Sequence, residues 1–358
     1  KNCSLGEMIS NLSKSGINVP KGFAVTTNAY MGFLNYNKLE KKIKRRLNNI
    51  DYDDLESIGE AGNEIRNWIQ GGEYSKVLKE LILETFDRMK LKKVAVRSSS
   101  TAEDLPEASF AGQQDTYLNV TLKHLLRRIK DCFASLFTNR AISYRKRYNI
   151  KFDDIKISVG VQQMVQSCNS SAGVAFSLDP ETGVDKIIVI NGSYGLGEAV
   201  VAGLVTKPDE FIVEKRLALS GNGLIVEKKL GIKDIKLEYN EKQKGNITKN
   251  TSDEEQNKYC LPDVVIKELA RNVVLIENHY KKPVDVEWVY DGTSLYIVQA
   301  RPETVHSKKT LFREYKIKDT PEPICTGVAV GDKVATGTLK MLNHVNEAKD
   351  KNFQKGDI

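Results

Sequence analysis

Apolar positions along this chain follow two different rhythms. Up to about residue 89 they recur every three or four residues. Leu5, Met8, Ile9 and Leu12 do so within 4–15, and the pattern returns over 29–46, 54–68 and 74–89, where Val77, Leu78, Leu81, Ile82 and Phe86 share one face. Residues at that spacing lie on one side of an α-helix, so each run predicts an amphipathic helix. Pro20 and Gly22 interrupt the pattern before a strand-like run over 23–26, which predicts helix, turn and strand at the start.

Beyond residue 90 the apolar runs shorten and predict strands over 93–97, 116–120, 158–164, 172–176, 187–192 and 210–213, with helices over 122–148 and 198–202. The lysine-rich stretch 240–257 has no period and reads as a surface loop or hairpin tip. A helix over 262–280 precedes two strands, 284–290 and 294–299, around Asp291-Gly292, a strong short-range hairpin signal. The fold class is α+β. Residues 306–323 are charged, carry prolines and lack a pattern, as a linker does. Gly327, Gly331 and Gly337 then punctuate β-like runs that suggest the start of a small β-rich domain. The expected domains are therefore 1–305, a linker at 306–323, and the opening of a second domain at 324–358. With no initiator Met and with an end just after a strand-like run, the sequence reads as a fragment.

Composition narrows the classes. Over 358 residues, 40% hydrophobic and 28% charged content matches an ordinary soluble globular protein. No apolar run is long enough to span a membrane and no signal-peptide order opens the chain, so a cytoplasmic protein without membrane contact is expected. The net charge of +7 is spread over helical faces and loops, which argues against nucleic acid as partner. Cys3, Cys132, Cys168, Cys260 and Cys325 stand singly and predict neither zinc nor a disulfide framework. His124, His279, His306 and His344 have no Ser or Cys motif beside them, and none is given a catalytic role.

Three constellations have the residue types of phosphate and metal chemistry. The strand Val94-Ala95-Val96-Arg97 runs into Ser98, Ser99, Ser100 and Thr101, presenting a guanidinium and hydroxyls. A salt bridge from Arg97 to a nearby acid is an equally good reading. Phe110-Ala111-Gly112-Gln113-Gln114, followed by Thr116, is a small loop whose backbone N–H groups can approach a polyphosphate, though such turns are common. On the hairpin, Glu287 and Gln299 can face one side with Arg301 two residues on. A carboxylate and an amide oxygen suit Mg²⁺, and a neighbouring Arg can hold phosphate charge. A cross-strand charge pair on a solvated face is the alternative. Gly192-Ser193-Tyr194-Gly195-Leu196-Gly197-Glu198 lacks dinucleotide-fingerprint spacing and reads as a tight strand-to-helix turn.

Five segments in order resemble the ATP-binding part of the phosphoenolpyruvate synthase, pyruvate phosphate dikinase and rifampicin phosphotransferase family. They are KNCSLGEMISNL with VPKGFAVT, VAVRSSSTAEDLPEASFAGQQDTYLNV, GVQQMVQS with AGVAFSLDPETG, GSYGLGEAVVAGLVTKPDEF, and PVDVEWVYDGTSLYIVQARPETV. The resemblance covers nearly the whole chain, and the wording of the fourth and fifth segments leans toward the synthase branch. It implies an ATP-grasp-like fold of two lobes with ATP between them, followed at 324–358 by the start of a swivelling phosphohistidine domain. By residue-wise carry-over it implies that Lys1 and Arg97 touch phosphates. Gly112 and Thr116 form the phosphate loop, Gln163, Met164 and Val165 lie beside adenine, and Glu287, Gln299 and Arg301 form the metal and phosphate group, with Glu287 and Gln299 as Mg²⁺ ligands. The two glycines that precede the lysine in the family are absent here.

The implied chemistry converts pyruvate, ATP and water to phosphoenolpyruvate, AMP and phosphate through a phosphohistidine downstream of this chain. Pyruvate would bind a further domain, and the full-length enzyme would be a homo-oligomer. Two other functions stay open at this point: an antibiotic kinase of the rifampicin phosphotransferase type, which shares the ATP half, and a non-catalytic ATP-binding module. The downstream sequence would separate all three.

Overall fold

Short polar side chains start several helices. Thr26, Ser75 and Thr138 each accept a hydrogen bond from the backbone N–H three residues on, and Asp54 accepts from Glu56 and Ser57. These bonds satisfy donors that a first helical turn leaves open. The computed structural model describes residues 1–101, 104–105, 108–109, 115–165, 170–220, 223–240, 245–303, 336–341 and 356. Within them, in chain order, the helices are α1 (Asn2–Asn11), α2 (Thr27–Tyr36), α3 (Leu39–Asn48), α4 (Leu55–Gly71), α5 (Lys76–Arg88), α6 (Leu122–Ala134), α7 (Asn139–Arg147), the short α8 (Glu198–Val201) and α9 (Asp253–Gln256), and α10 (Asp263–Tyr280).

Two antiparallel sheets organise the unit Lys1–Lys308. The first has strand order β1 (Gly22–Val25), β6 (Ile157–Gln163), β2 (Lys93–Ser100), β5 (Thr116–Thr121). Between β2 and β5 lies a small ladder of β3 (Asp104–Leu105) and β4 (Ala108–Ser109). The second sheet has the order β10 (Ile225–Lys229), β9 (Asp209–Glu214), β8 (Ile187–Tyr194), β7 (Ser171–Phe176), β13 (Val284–Tyr290), β14 (Leu295–Pro302). A hairpin of β11 (Ile235–Asn240) and β12 (Gly245–Asn250) stands apart from both. The ladders within the sheets are antiparallel and the helices are grouped against the sheets, which makes the observed architecture a mixed helix-and-sheet fold of the α+β kind.

Each sheet has its own core. Helices α2 to α7 cover the first sheet, with Tyr30, Phe33, Phe133 and Phe137 fully buried among the strand valines. Helices α1 and α10 cover the second, around Trp288 and Phe211. Removing each such side chain from water is worth about 1.5–3 kcal/mol, so the two cores are the main source of cohesion. A third, smaller cluster joins Leu196, Ala199, Val205 and Leu237, and Leu118, Met164 and Val200 pack against it. It brings together residues from the first sheet, the α8 turn and the β11–β12 hairpin.

The hairpin is secured by a buried ion pair. Lys233 Nζ lies 2.6 Å from Asp209 Oδ1, with both side chains fully buried, and Asp209 also accepts from the N–H groups of Gly231 and Cys260. At the turn before α8, Gly195 has φ +86°, and a Cβ there would lie 2.5 Å from Leu237 O. Only glycine permits the hairpin to approach so closely.

Several expectations are corrected in detail. The run 29–46 is two helices, α2 and α3, broken at Lys38, which adopts a left-handed φ of 55°. The run 122–148 is likewise divided, because a 3₁₀ turn over Ser135–Phe137 buries Leu136 and Phe137 before Thr138 opens α7. In α5 only Ile82 and Phe86 are buried, while Val77 and Leu81 are 67% and 55% exposed, since the helix lies outermost in its layer and meets α6 with one narrow edge. The stretch 240–257 contributes strand β12 and helix α9, with 241–244 outside the described residues. The tight turn at 192–198 and the hairpin about Asp291-Gly292 form as expected.

The second compact unit runs Lys309–Ile358. Its described residues are 336–341 and 356, where Thr338 N–H donates to Gly356 O at 3.0 Å. The linker expected at 306–323 lies outside the described residues, as does most of the domain start expected at 324–358. Among the described residues, no helix is long and apolar enough to cross a membrane.

Candidate functional site

A change of register in the β13–β14 ladder sets which way the hairpin side chains point. Glu287 pairs with Gln299, but its neighbour Trp288 pairs with Ile297, so Val298 is an extra residue on β14. Val284, Val286 and Trp288 face the core on β13, and Leu295, Ile297 and Ala300 face it on β14. The bulge shifts the alternation by one. Gln299 and Arg301 thereby leave the face of Leu295 and Ile297 and join Asp285 and Glu287 on the opposite one.

On that face the structure brings together three of the expected residues. Arg97, from β2 of the other sheet, donates through Nη2 to Glu287 Oε2 at 2.7 Å and to Gln299 Oε1 at 2.8 Å. Its Nη1 donates to Val298 O at 3.1 Å, the carbonyl of the bulged residue. Side-chain exposure is 13% for Arg97 and 21% for Glu287, and Gln299 is buried, so the cluster is half-sheltered from solvent. Among the described residues, Arg97 Nε is buried without a hydrogen-bond partner. Arg97 thus forms a salt bridge with Glu287 across the two sheets; the side chains of Glu103 and Asp104, its neighbouring acids in the sequence, lie outside the described residues.

Arg301 lies on the same face, held through Nε by Asp285 Oδ2 at 3.2 Å. Asp285 was not singled out from the sequence, although the alternation Val284-Asp285-Val286-Glu287 places it beside Glu287. Thr116 is the direct β5 partner of Arg97. Lys1 Nζ reaches Ser98 O at 3.4 Å, one residue beyond Arg97. The start of α1 is drawn onto the first sheet by Asn2, whose Nδ2 donates to Ser158 Oγ at 2.5 Å. This contact needs Gly160, because a Cβ there would lie 2.4 Å from Asn2 Oδ1. Asn2 and Gly160 were also missed, and a small residue inside a strand was the available signal.

Gln163, Met164 and Val165 lie at the other end of the same strands. Arg97 pairs with Gly160 and Val94 with Gln163, so the two groups are three residues apart along the ladder, about 10 Å at strand rise. Gln163 is exposed, Met164 and Val165 are half-buried, and Met164 packs against the third cluster with Leu118 and Val200. Lys93, on the same strand, sits over the Tyr239 ring of the β11–β12 hairpin at 4.5 Å. Gly112 lies outside the described residues.

Such an arrangement offers an apolar, half-buried shelf at one end and clustered cations with oxygen donors at the other. Comparison with known proteins assigns the family. The sequence profile of the family described as "Pyruvate phosphate dikinase, AMP/ATP-binding domain" matches residues 1–321. Over its whole length the chain is 48% identical to phosphoenolpyruvate synthase of Aquifex aeolicus, covering 44% of that protein. It is 39% identical to phosphoenolpyruvate synthase of Escherichia coli, covering 46% of it. It is 37% identical to the probable phosphoenolpyruvate synthase of Methanocaldococcus jannaschii, covering 30% of it. The chain thus spans half or less of the length of these curated relatives.

Proposed function

The chain belongs to the pyruvate phosphate dikinase AMP/ATP-binding family, and from that premise we propose that it forms the ATP-binding half-site of a phosphoenolpyruvate synthase. The proposed overall reaction takes pyruvate, ATP and water to phosphoenolpyruvate, AMP and phosphate through a phosphohistidine that this chain does not contain. The observation that carries the reading is the convergence of Arg97, Glu287 and Gln299 from two sheets onto one point. The relatives reported above are named as the synthase, which favours this reading over an antibiotic kinase.

In this reading the fold is ATP-grasp-like, with each sheet forming one lobe. Gln163, Met164 and Val165 would receive adenine against the apolar shelf, and the phosphates would extend along β2 toward Arg97. Arg97 has a fork of donors suited to phosphate oxygens, and its buried Nε is an unmet donor. Lys1 and Arg301 would add positive charge, while Gly112 and Thr116 would supply the phosphate loop. Phosphoryl transfer depends mainly on positioning and on offsetting charge, and these residues are equipped for both.

Mg²⁺ fits the donor set. Glu287 Oε2 and Gln299 Oε1 are hard oxygens, one anionic, that already meet at a single cationic nitrogen. They would hold the ion, and when bound it would neutralise charge on phosphate oxygens. Glu287 and Gln299 would then release Arg97 to the nucleotide. The same proposal includes a swivelling phosphohistidine domain opening at 324–358, pyruvate bound elsewhere in the full-length protein, a homo-oligomeric enzyme and a cytoplasmic location.

Calorimetric titration with a non-hydrolysable ATP analogue tests the site, with and without Mg²⁺. The wild-type chain is expected to bind in a magnesium-dependent way, and a folded Arg97→Ala, Glu287→Ala variant to bind at least tenfold more weakly. A folded wild-type chain that does not bind, or a variant that binds equally well, would overturn the assignment.

A further inference from the structure

The helical layer over the first sheet contains a cavity of about 480 Å³ between α3, α7 and the segment that follows α7. It shares no residue with the Arg97 cluster. Four cationic side chains line it, Lys44, Arg145, Lys146 and Lys151, against one carboxylate, Asp153. Lys44 already holds that carboxylate at 2.7 Å, and Lys146 lies over the Tyr52 ring at 4.6 Å.

Arg145 is the unusual member. The residue is 5% exposed, and neither Nη1 nor Nη2 has a hydrogen-bond partner among the described residues. Its guanidinium carbon lies over the face of Phe137, at 5.1 Å. Burial pushes its pKa down to about 10, with Tyr30 and Tyr52 opposing the shift, so it is still charged at neutral pH. Keeping a cation buried without a hydrogen-bonded counter-charge opposes folding, and a bound anion would relieve that cost. The nearby hydroxyl of Tyr30, fully buried, also has no hydrogen-bond partner among the described residues. Asn48, Asn149 and Tyr52 add neutral polar groups to the cavity wall.

We propose that this cavity binds a compact oxyanion carrying at least two negative charges, a phosphate ester or a polycarboxylate, with Arg145 as the charge at its base and Lys146 and Lys151 at its rim. The anion supplies the missing counter-charge, and the exposed lysines admit it from solvent. Because Nη1 and Nη2 are closed off from solvent here, direct contact requires Arg145 to turn outward as the ligand enters.

The test titrates the chain separately with glycerol 3-phosphate and with tricarballylate, in magnesium-free buffer, and compares wild type with Lys146→Glu/Lys151→Glu, Arg145→Met and Arg97→Ala. At least one anion is expected to bind wild type and Arg97→Ala equally, and to bind the double-lysine variant and Arg145→Met at least tenfold more weakly. Which of the two binds identifies the ligand class. The Lys146→Glu/Lys151→Glu variant changes only exposed side chains, so it remains informative if Arg145→Met fails to fold. The proposal is overturned if neither anion binds folded wild type, if Arg97→Ala abolishes binding, or if folded Arg145→Met binds as wild type does.

Discussion

Arg97 holds the two oxygens proposed above as metal ligands, and that competition can be measured. Its ion pair with Glu287 is 2.7 Å long with side chains 13% and 21% exposed. Fully exposed pairs contribute about 0.2–1 kcal/mol, and losing one partner of a fully buried pair costs about 3–5. The intermediate shelter here places the Arg97–Glu287 coupling at about 1–2 kcal/mol. Arg97→Gln also loses bonds to Gln299 and Val298, each worth about 0.5–1.5 kcal/mol, so this variant should lose about 2–5 kcal/mol in all. A double-mutant cycle of Arg97→Gln and Glu287→Gln, followed by urea unfolding without nucleotide, gives the coupling in the free chain. Affinities of the same four proteins for a magnesium-loaded ATP analogue then show whether the coupling survives binding. If Arg97 moves from Glu287 to phosphate, the binding free energies will be non-additive by that same 1–2 kcal/mol, about five- to thirtyfold in affinity. Strictly additive affinities would mean that Arg97 stays on Glu287. It would then be a structural tie between the sheets and not a phosphate ligand.

Asp209→Asn should lower unfolding stability by about 3–5 kcal/mol, since it leaves the ammonium of Lys233 buried without its carboxylate; a loss below 1 kcal/mol by urea denaturation would contradict this. Gly160→Ala should weaken nucleotide binding several-fold in calorimetry while leaving the far-UV spectrum unchanged, because its Cβ displaces Asn2 and with it the start of α1. Burial raises the thiol pKa values of Cys132 and Cys260, so neither is thiolate at pH 8. Peptide mass spectrometry after iodoacetamide treatment should therefore find exposed Cys3 labelled in the native chain and these two labelled only after unfolding. In the β11–β12 hairpin, burial acts to raise Glu238, but bonds from Lys249 and Lys236 outweigh it and hold the carboxyl below 4.5. A depressed carboxyl stabilises the fold above its unfolded pKa, so hydrogen-exchange protection of 236–250 should fall as pH drops below about 4.5, and less so in Lys236→Met.

How much of this was legible in the sequence depends on the range of the interactions concerned. Helix and strand periods depend on near neighbours, and they gave the α+β class. The Asp291-Gly292 turn likewise announced its hairpin, because Asp291 Oδ1 accepts from Thr293 and Ser294 within the turn itself. Breaks in long helical runs were hidden where the cause was distant: α6 ends so that Leu136 and Phe137 can enter a core built by other elements. Arg97 and Glu287 were each noticed, yet their pairing spans 190 residues and two sheets, and nothing local to either one predicts it.

The bulge at Val298 is the most instructive case. Strict alternation from Leu295 and Ile297 would have put Gln299 and Arg301 in the core, where a charged guanidinium has no place. Glu287, Gln299 and Arg301 share one face because polar residues do not follow the apolar ones inward, and the ladder inserts one residue to obey that constraint. The same residue leaves a carbonyl free to accept from Arg97, so one irregularity both turns the hairpin donors outward and anchors the arginine opposite them. Sequence alternation can flag such a conflict between polarity and period. How the ladder resolves it is visible only in the register.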